Sequence, residues 1–168
     1  MNIPNTLTVI RFLLIPIFGY YLYNEQFLIA ACIFVVAGAT DIADGYVARK
    51  YNMVTDWGKI ADPLADKLIQ ITALILLTVQ QRITIVILII VIAKEILMGI
   101  GSILFIKEHK KVVGANWYGK LATVVLFIAI MFTLFRVPYN EIFIFIAVLV
   151  TLFAFARYCI IFIKMKNH

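Results

Sequence analysis

Six apolar stretches separated by short polar breaks organise the chain, at roughly residues 7–23, 27–49, 60–80, 83–106, 118–136 and 138–163. The breaks carry turn residues or charge: Asn24-Glu25, Arg49–Lys59, Gln80-Gln81-Arg82, Lys107–Gly119 and Arg136-Val137-Pro138. Each stretch approaches the ~20 residues that an α-helix needs to cross a bilayer. The pattern therefore predicts an all-α integral membrane protein. It has six transmembrane helices in a single domain, residues 1–168, with no surplus for a soluble domain. The first stretch lacks an Ala-x-Ala cleavage site, and a polar Asn2–Thr8 segment precedes its only early charge, Arg11, so it reads as a helix and not as a cleavable signal peptide.

Composition supports this reading. Of 168 residues, 64% are hydrophobic and 14% charged, whereas a soluble domain has about 45–50% apolar and about 25% charged residues. The 15 Lys+Arg against 9 Asp+Glu give a net charge of +6. No basic helix, RNA-binding motif or zinc-finger spacing accompanies that charge, so no nucleic-acid partner is expected. Cys32 and Cys159 lie inside apolar runs without a Cys-x-x-Cys, which excludes a disulfide framework or metal knuckle. With six spans, Arg82 and Arg136 alone among the 15 basic residues fall between spans on one side. The other side, holding both termini, is cytoplasmic by the positive-inside rule. The Lys107–Lys111 cluster reads as a cytoplasmic loop attracting anionic lipid. Trp57, Trp117, Tyr118 and Tyr158 read as interface aromatics.

Charge also enters the spans themselves. Within the apolar stretches the longest uncharged runs, such as Leu121–Phe135 and Ile142–Ala156, stop short of a full span. Arg11, Asp41, Asp44, Arg49, Asp62, Asp66, Lys67, Lys120 and Arg157 all fall in the cytoplasmic halves, and Lys94-Glu95 lies deeper. A charge at the bilayer centre costs at least ~2.5–3.5 kcal/mol, so such groups face a bundle interior or a wet cavity. Together they predict a polar chamber open to the cytoplasm.

The densest chemistry runs from Asp41 to Asp66. Asp41, Asp44 and Ala48 share one helical face at i, i+3 and i+7, and Asp62 and Asp66 share another at i, i+4. The second and third helices are expected to be antiparallel neighbours with their carboxylates at similar depth. Four carboxylates in a low dielectric repel unless cations intervene. Two divalent ions would balance them, and all-oxygen ligation suits Mg²⁺ or Mn²⁺. Gly38, Ala39, Ala43, Gly45 and Ala48, with Gly58, Ala61 and Ala65, allow close backbone approach and leave room for a ligand. Arg49 ends the stripe, where it can meet a phosphate bidentately. Pro63 is expected in the first turn of the third helix, where a missing N–H matters little.

The spacing Asp-x2-Asp-Gly-x2-Ala-Arg-x8-Gly-x3-Asp-x3-Asp matches the signature of the CDP-alcohol phosphatidyltransferases at all eight fixed positions. Ile3-Pro4-Asn5-Thr6-Leu7-Thr8-Val9-Ile10-Arg11 with Pro16, Asp62–Lys67 and Gly119–Thr123 resemble the phosphatidylglycerophosphate synthase and CDP-alcohol-type cardiolipin synthase branches. The resemblance spans residues 3 to about 125.

The resemblance implies a six-helix enzyme of the cytoplasmic membrane, usually a homodimer, with its active site facing the cytoplasm. It implies two divalent metals held by Asp41, Asp44, Asp62 and Asp66, with Asp66 as general base. CDP would be bound by Asn5, Asp41, Asp44, Gly45, Ala48, Arg49, Gly58 and Asp62. The donor would be CDP-diacylglycerol. Arg11, Lys94, Lys120 and Arg157 are the candidate cations for an acceptor phosphate. One departure concerns the fourth helix: the synthases for phosphatidylglycerophosphate generally carry Arg-Glu where this chain has Lys94-Glu95, and lysine lacks the bidentate fork. The cation set favours sn-glycerol 3-phosphate as acceptor. Phosphatidylglycerol, giving cardiolipin, is the second acceptor, and a catalytically silent membrane scaffold is a reading of another class.

Overall fold

A computed structural model of the chain describes residues 3–51, 55–109 and 117–166. It is helical throughout, in the order α1 Ile3–Tyr23, α2 Phe27–Lys50, α3 Asp56–Val79, α4 Ile85–His109, α5 Trp117–Leu134 and α6 Asn140–Lys166. Among the described residues there is no strand. Four described segments are long and apolar enough to cross a bilayer: Asn5–Tyr23, Phe27–Ala48, Trp117–Leu134 and Asn140–Ile160.

The helix ends follow from local chemistry. Two turns close with Schellman-type bonding, in which a left-handed residue lets the chain bond back to the last turn. After α1, Gln26 N–H donates to Tyr21 O at 2.9 Å and Glu25 N–H to Leu22 O at 3.0 Å. After α5, Val137 N–H donates to Phe132 O at 3.0 Å and Arg136 N–H to Thr133 O at 3.2 Å. Glu25 (φ 58°) and Arg136 (φ 53°) take the left-handed position that glycine usually fills.

The third helix departs from the expected boundaries. It starts at Asp56 because Thr55 is an N-cap whose hydroxyl accepts from Gly58 N–H. Pro63 therefore lies inside the helix and not in its first turn. A proline there removes one backbone hydrogen bond and frees the carbonyl a turn earlier. Pro63 itself stands between Asp62 and Asp66 in an uninterrupted helix, with its side chain exposed.

The chain divides into two compact units, residues 1–80 and 81–168. In the first, α1 packs against both α2 and α3, and these two touch each other over a shorter stretch. The carboxylate helices are thus joined chiefly through α1, where direct pairing was expected. Their core is rich in alanine, with Ala30, Ala31, Ala37, Ala61, Ala65 and Ala73 all buried. Small side chains let helices approach closely where lipid offers no hydrophobic contrast. Phe18 and Phe34 fill the remaining volume, ring centroids 5.5 Å apart. Gln80 donates to Leu22 O at 2.6 Å, tying the end of α3 to that of α1.

In the second unit α6 packs against α5 and α4. Tyr118, Ala122 and Ala154 form a buried cluster with Val150 and Tyr158 against it. The Tyr118 and Tyr158 rings meet edge-on at 5.1 Å. Tyr118 is thus a packing residue and not an interface aromatic; Trp117 is exposed as expected, and the Trp57 side chain lies outside the described residues. In both units large apolar side chains such as Leu13, Leu28, Phe145 and Phe153 are exposed, which suits a surface solvated by acyl chains.

Candidate functional site

The first unit gathers the polar residues at one end of its three helices. On α1, Asn5, Thr8 and Arg11 recur every three residues, so they wind along one side of the helix. That stripe faces the signature. Arg11 is 1% exposed and its guanidinium pairs with both Asp41 and Asp44 of α2. Nη1 lies 2.9 Å from Asp41 Oδ1, and Nη2 donates to Asp44 Oδ2. The Arg11 Nε and Nη1 groups are buried without an aligned hydrogen-bond acceptor. Asp44 is buried, whereas Asp41 is partly open.

The same stripe reaches α3. Thr8, fully buried, donates its hydroxyl to Asp62 Oδ1. Asp41 and Asp62 both lie near enough to Asp44 for their charges to act on it. Below them, Thr55 donates to Asn5 Oδ1 at 2.8 Å while accepting from Gly58 N–H at 3.0 Å. Gly58 is tightly enclosed: a Cβ there would meet Thr55 Oγ1 at 3.1 Å, Asn5 Oδ1 at 3.3 Å and Asp62 Oδ2 at 3.6 Å. That crowding explains glycine at this signature position, since a side chain would press on the Thr55 cap and on Asn5. Asp66, one turn beyond Asp62, is half-buried, and Gln70 donates to its Oδ1 at 3.4 Å. Gly45 and Ala48 are half-buried on α2. The Arg49 side chain lies outside the described residues.

The structure therefore brings Asn5, Arg11, Asp41, Asp44, Gly58 and Asp62 into one connected set. Arg11, expected among the acceptor cations, engages the carboxylates directly. The other three cations belong to the second unit. Lys94 pairs with its neighbour Glu95, both largely buried. Lys120 on α5 and Arg157 on α6 are exposed. Three residues with clear roles were not singled out from sequence: Thr8, Thr55 and Gln70. Their signal was a hydroxyl or amide inside, or at the mouth of, an apolar span, where a polar group without a partner is costly.

The donor chemistry, carboxylates alone, suits a hard divalent cation such as Mg²⁺ or Mn²⁺. Among the described residues, however, no group of three acidic, histidine or cysteine side chains is disposed to hold a metal as it stands. Arg11 occupies Asp41 and Asp44, and Thr8 binds Asp62.

The Thr8 contact carries a prediction. Thr8→Val keeps the shape and removes the donor to a carboxylate. Hydrogen bonds to charged groups contribute about 1.5–3 kcal/mol. A loss of that size is expected in SDS-induced unfolding from mixed micelles, and unchanged unfolding would refute the role given to Thr8.

Comparison with known proteins extends the similarity along the chain. The family model described as CDP-alcohol phosphatidyltransferase matches residues 1–153. A protein of Pseudomonas fluorescens named CDP-diacylglycerol--glycerol-3-phosphate 3-phosphatidyltransferase is 49% identical over 85 residues, 49% of this chain and 43% of the relative. In that case the chain spans less than half of the relative's length. Proteins of the same name match over most of both chains in Bacillus subtilis (34% identical over 173 residues, 89% of each chain) and Haemophilus influenzae (33% over 170, 94% of this chain and 91% of the relative).

Proposed function

The chain belongs to the CDP-alcohol phosphatidyltransferase family, and from that premise we propose that it transfers the phosphatidyl group of CDP-diacylglycerol to sn-glycerol 3-phosphate. The products are phosphatidylglycerophosphate and CMP. The observation that carries this reading is the near full-length similarity to two relatives named for that reaction, joined to an intact eight-residue signature. We further propose a single six-span domain in the cytoplasmic membrane, working as a homodimer, with both termini and the site on the cytoplasmic side.

In this reading a primary hydroxyl of the acceptor attacks the phosphatidyl phosphorus. The phosphorus–oxygen bond to CMP breaks, and CMP leaves with the electron pair. The hydroxyl proton passes to the Asp66 carboxylate, a transfer typically contributing ~10²–10⁴-fold. Asp41, Asp44, Asp62 and Asp66 would hold two Mg²⁺ or Mn²⁺ ions, which neutralise the diphosphate and improve CMP as a leaving group. Asn5, Gly45, Ala48, Arg49 and Gly58 complete the CDP site. Of the four cations read for an acceptor phosphate, Arg11 is taken up by Asp41 and Asp44, which leaves Lys94, Lys120 and Arg157 as the proposed set.

Full-length protein in nanodiscs, supplied with Mg²⁺ or Mn²⁺ and CDP-diacylglycerol, tests the reading directly. CMP release and phosphatidylglycerophosphate are expected with sn-glycerol 3-phosphate. Release with phosphatidylglycerol alone would move the assignment to cardiolipin synthesis, the acceptor that the Lys94-Glu95 departure would permit. No release with either acceptor would overturn the enzymatic reading in favour of a silent scaffold.

A further inference from the structure

We propose that Arg11 and a divalent cation compete for Asp41 and Asp44, so that Arg11 is a positioning residue that keeps these carboxylates paired until metal displaces it. The inference rests on the metal-binding role proposed above for the two aspartates.

Three observations support it. First, the Arg11 guanidinium contacts a carboxylate oxygen of each residue and is 1% exposed, so it fills the space between the carboxylates. Second, guanidinium cannot shed its charge in a protein. A divalent ion bound between Asp41 and Asp44 with Arg11 in place would set two cations in contact in a medium that screens poorly. Third, the arginine is incompletely satisfied: its Nε is buried without an acceptor. Buried donors left unmet weaken the hold of such a pairing, which is what an exchangeable partner requires. The neighbouring carboxylate, Asp62, accepts from the Thr8 hydroxyl. The arrangement is thus a pair of acids already half-neutralised by a residue of the chain.

The test is Mn²⁺ affinity, read by electron paramagnetic resonance of free Mn²⁺ with full-length protein in nanodiscs. Arg11→Gln is expected to bind Mn²⁺ at least roughly tenfold more tightly than wild type, a change equivalent to about 1.4 kcal/mol. It should also be less heat-stable than wild type in EDTA and recover most of that loss at saturating Mn²⁺. A purely structural arginine would destabilise the protein equally in both conditions. Arg11→Lys separates bridging from a general field effect and stands in if the glutamine variant does not fold. Lysine keeps the charge but cannot fork across two carboxylates, so affinity should rise with lysine as well. Unchanged or weaker affinity in Arg11→Lys overturns the proposal. Wild type that binds no Mn²⁺ would overturn the metal-dependent reading itself, whereas unchanged affinity across variants of a chain that does bind Mn²⁺ overturns the Arg11 inference alone.

Discussion

Asp66→Asn is expected to lower kcat for CMP release by about 10²–10⁴-fold, the usual contribution of a positioned general base, while CDP-diacylglycerol still binds. The side chains are nearly isosteric, and the amide still accepts at Oδ1 from Gln70, which donates there at 3.4 Å in the wild type. What is lost is the capacity to take a proton. Asp66 suits that task because it stands one helical turn past Asp62 on α3 and remains partly open. Asp62 is already engaged by Thr8, and Asp44 by Arg11. If Asp66 acted through the metal alone, raising Mn²⁺ would restore activity to the variant. Titrating Mn²⁺ against the variant separates the two roles, and wild-type turnover at ordinary Mn²⁺ would refute the base outright.

The sequence made the helices legible because charge and turn residues interrupt the apolar runs sharply. Asn24-Glu25 and Arg136-Val137 became left-handed helix caps. The start of α3 was not legible, because Thr55 sits beyond the apolar run, and its hydroxyl also donates to Asn5, 50 residues away. The grouping of the site was only partly legible. Helical spacing put Asp41 with Asp44 and Asp62 with Asp66, since i, i+3 and i, i+4 neighbours share a face. It did not tell which cation meets which acid. That depends on the rotation of α1 about its axis, set by the packing of Phe18, Leu22 and Gly19 against α2 and α3. Hence the sequence alone leaves Arg11 among the cations for an acceptor phosphate, whereas the structure shows it on the carboxylates. The role of α1 as the link between α2 and α3 was hidden for the same reason.

Asp44→Asn is expected to destabilise the protein by about 3–5 kcal/mol, the range for removing one partner of a buried ion pair. Both members qualify, with side-chain exposures of 1% for Arg11 and 2% for Asp44. The remaining partner, Asp41, is 41% exposed, so water screens it and it replaces little of what is lost. The same substitution removes a proposed metal ligand, so CMP release should fall together with stability. A double-mutant cycle separates the two effects. Once Arg11 is glutamine, no buried cation is stranded, and Asp44→Asn should then cost much less than in the wild-type background. Stability should recover in the double variant while activity does not, because the carboxylate is still missing. SDS-induced unfolding in mixed micelles and CMP release on the same preparations measure both. If Asp44→Asn unfolded like wild type, or if the two substitutions were additive, the Arg11–Asp44 pair would not be a stabilising contact of the fold.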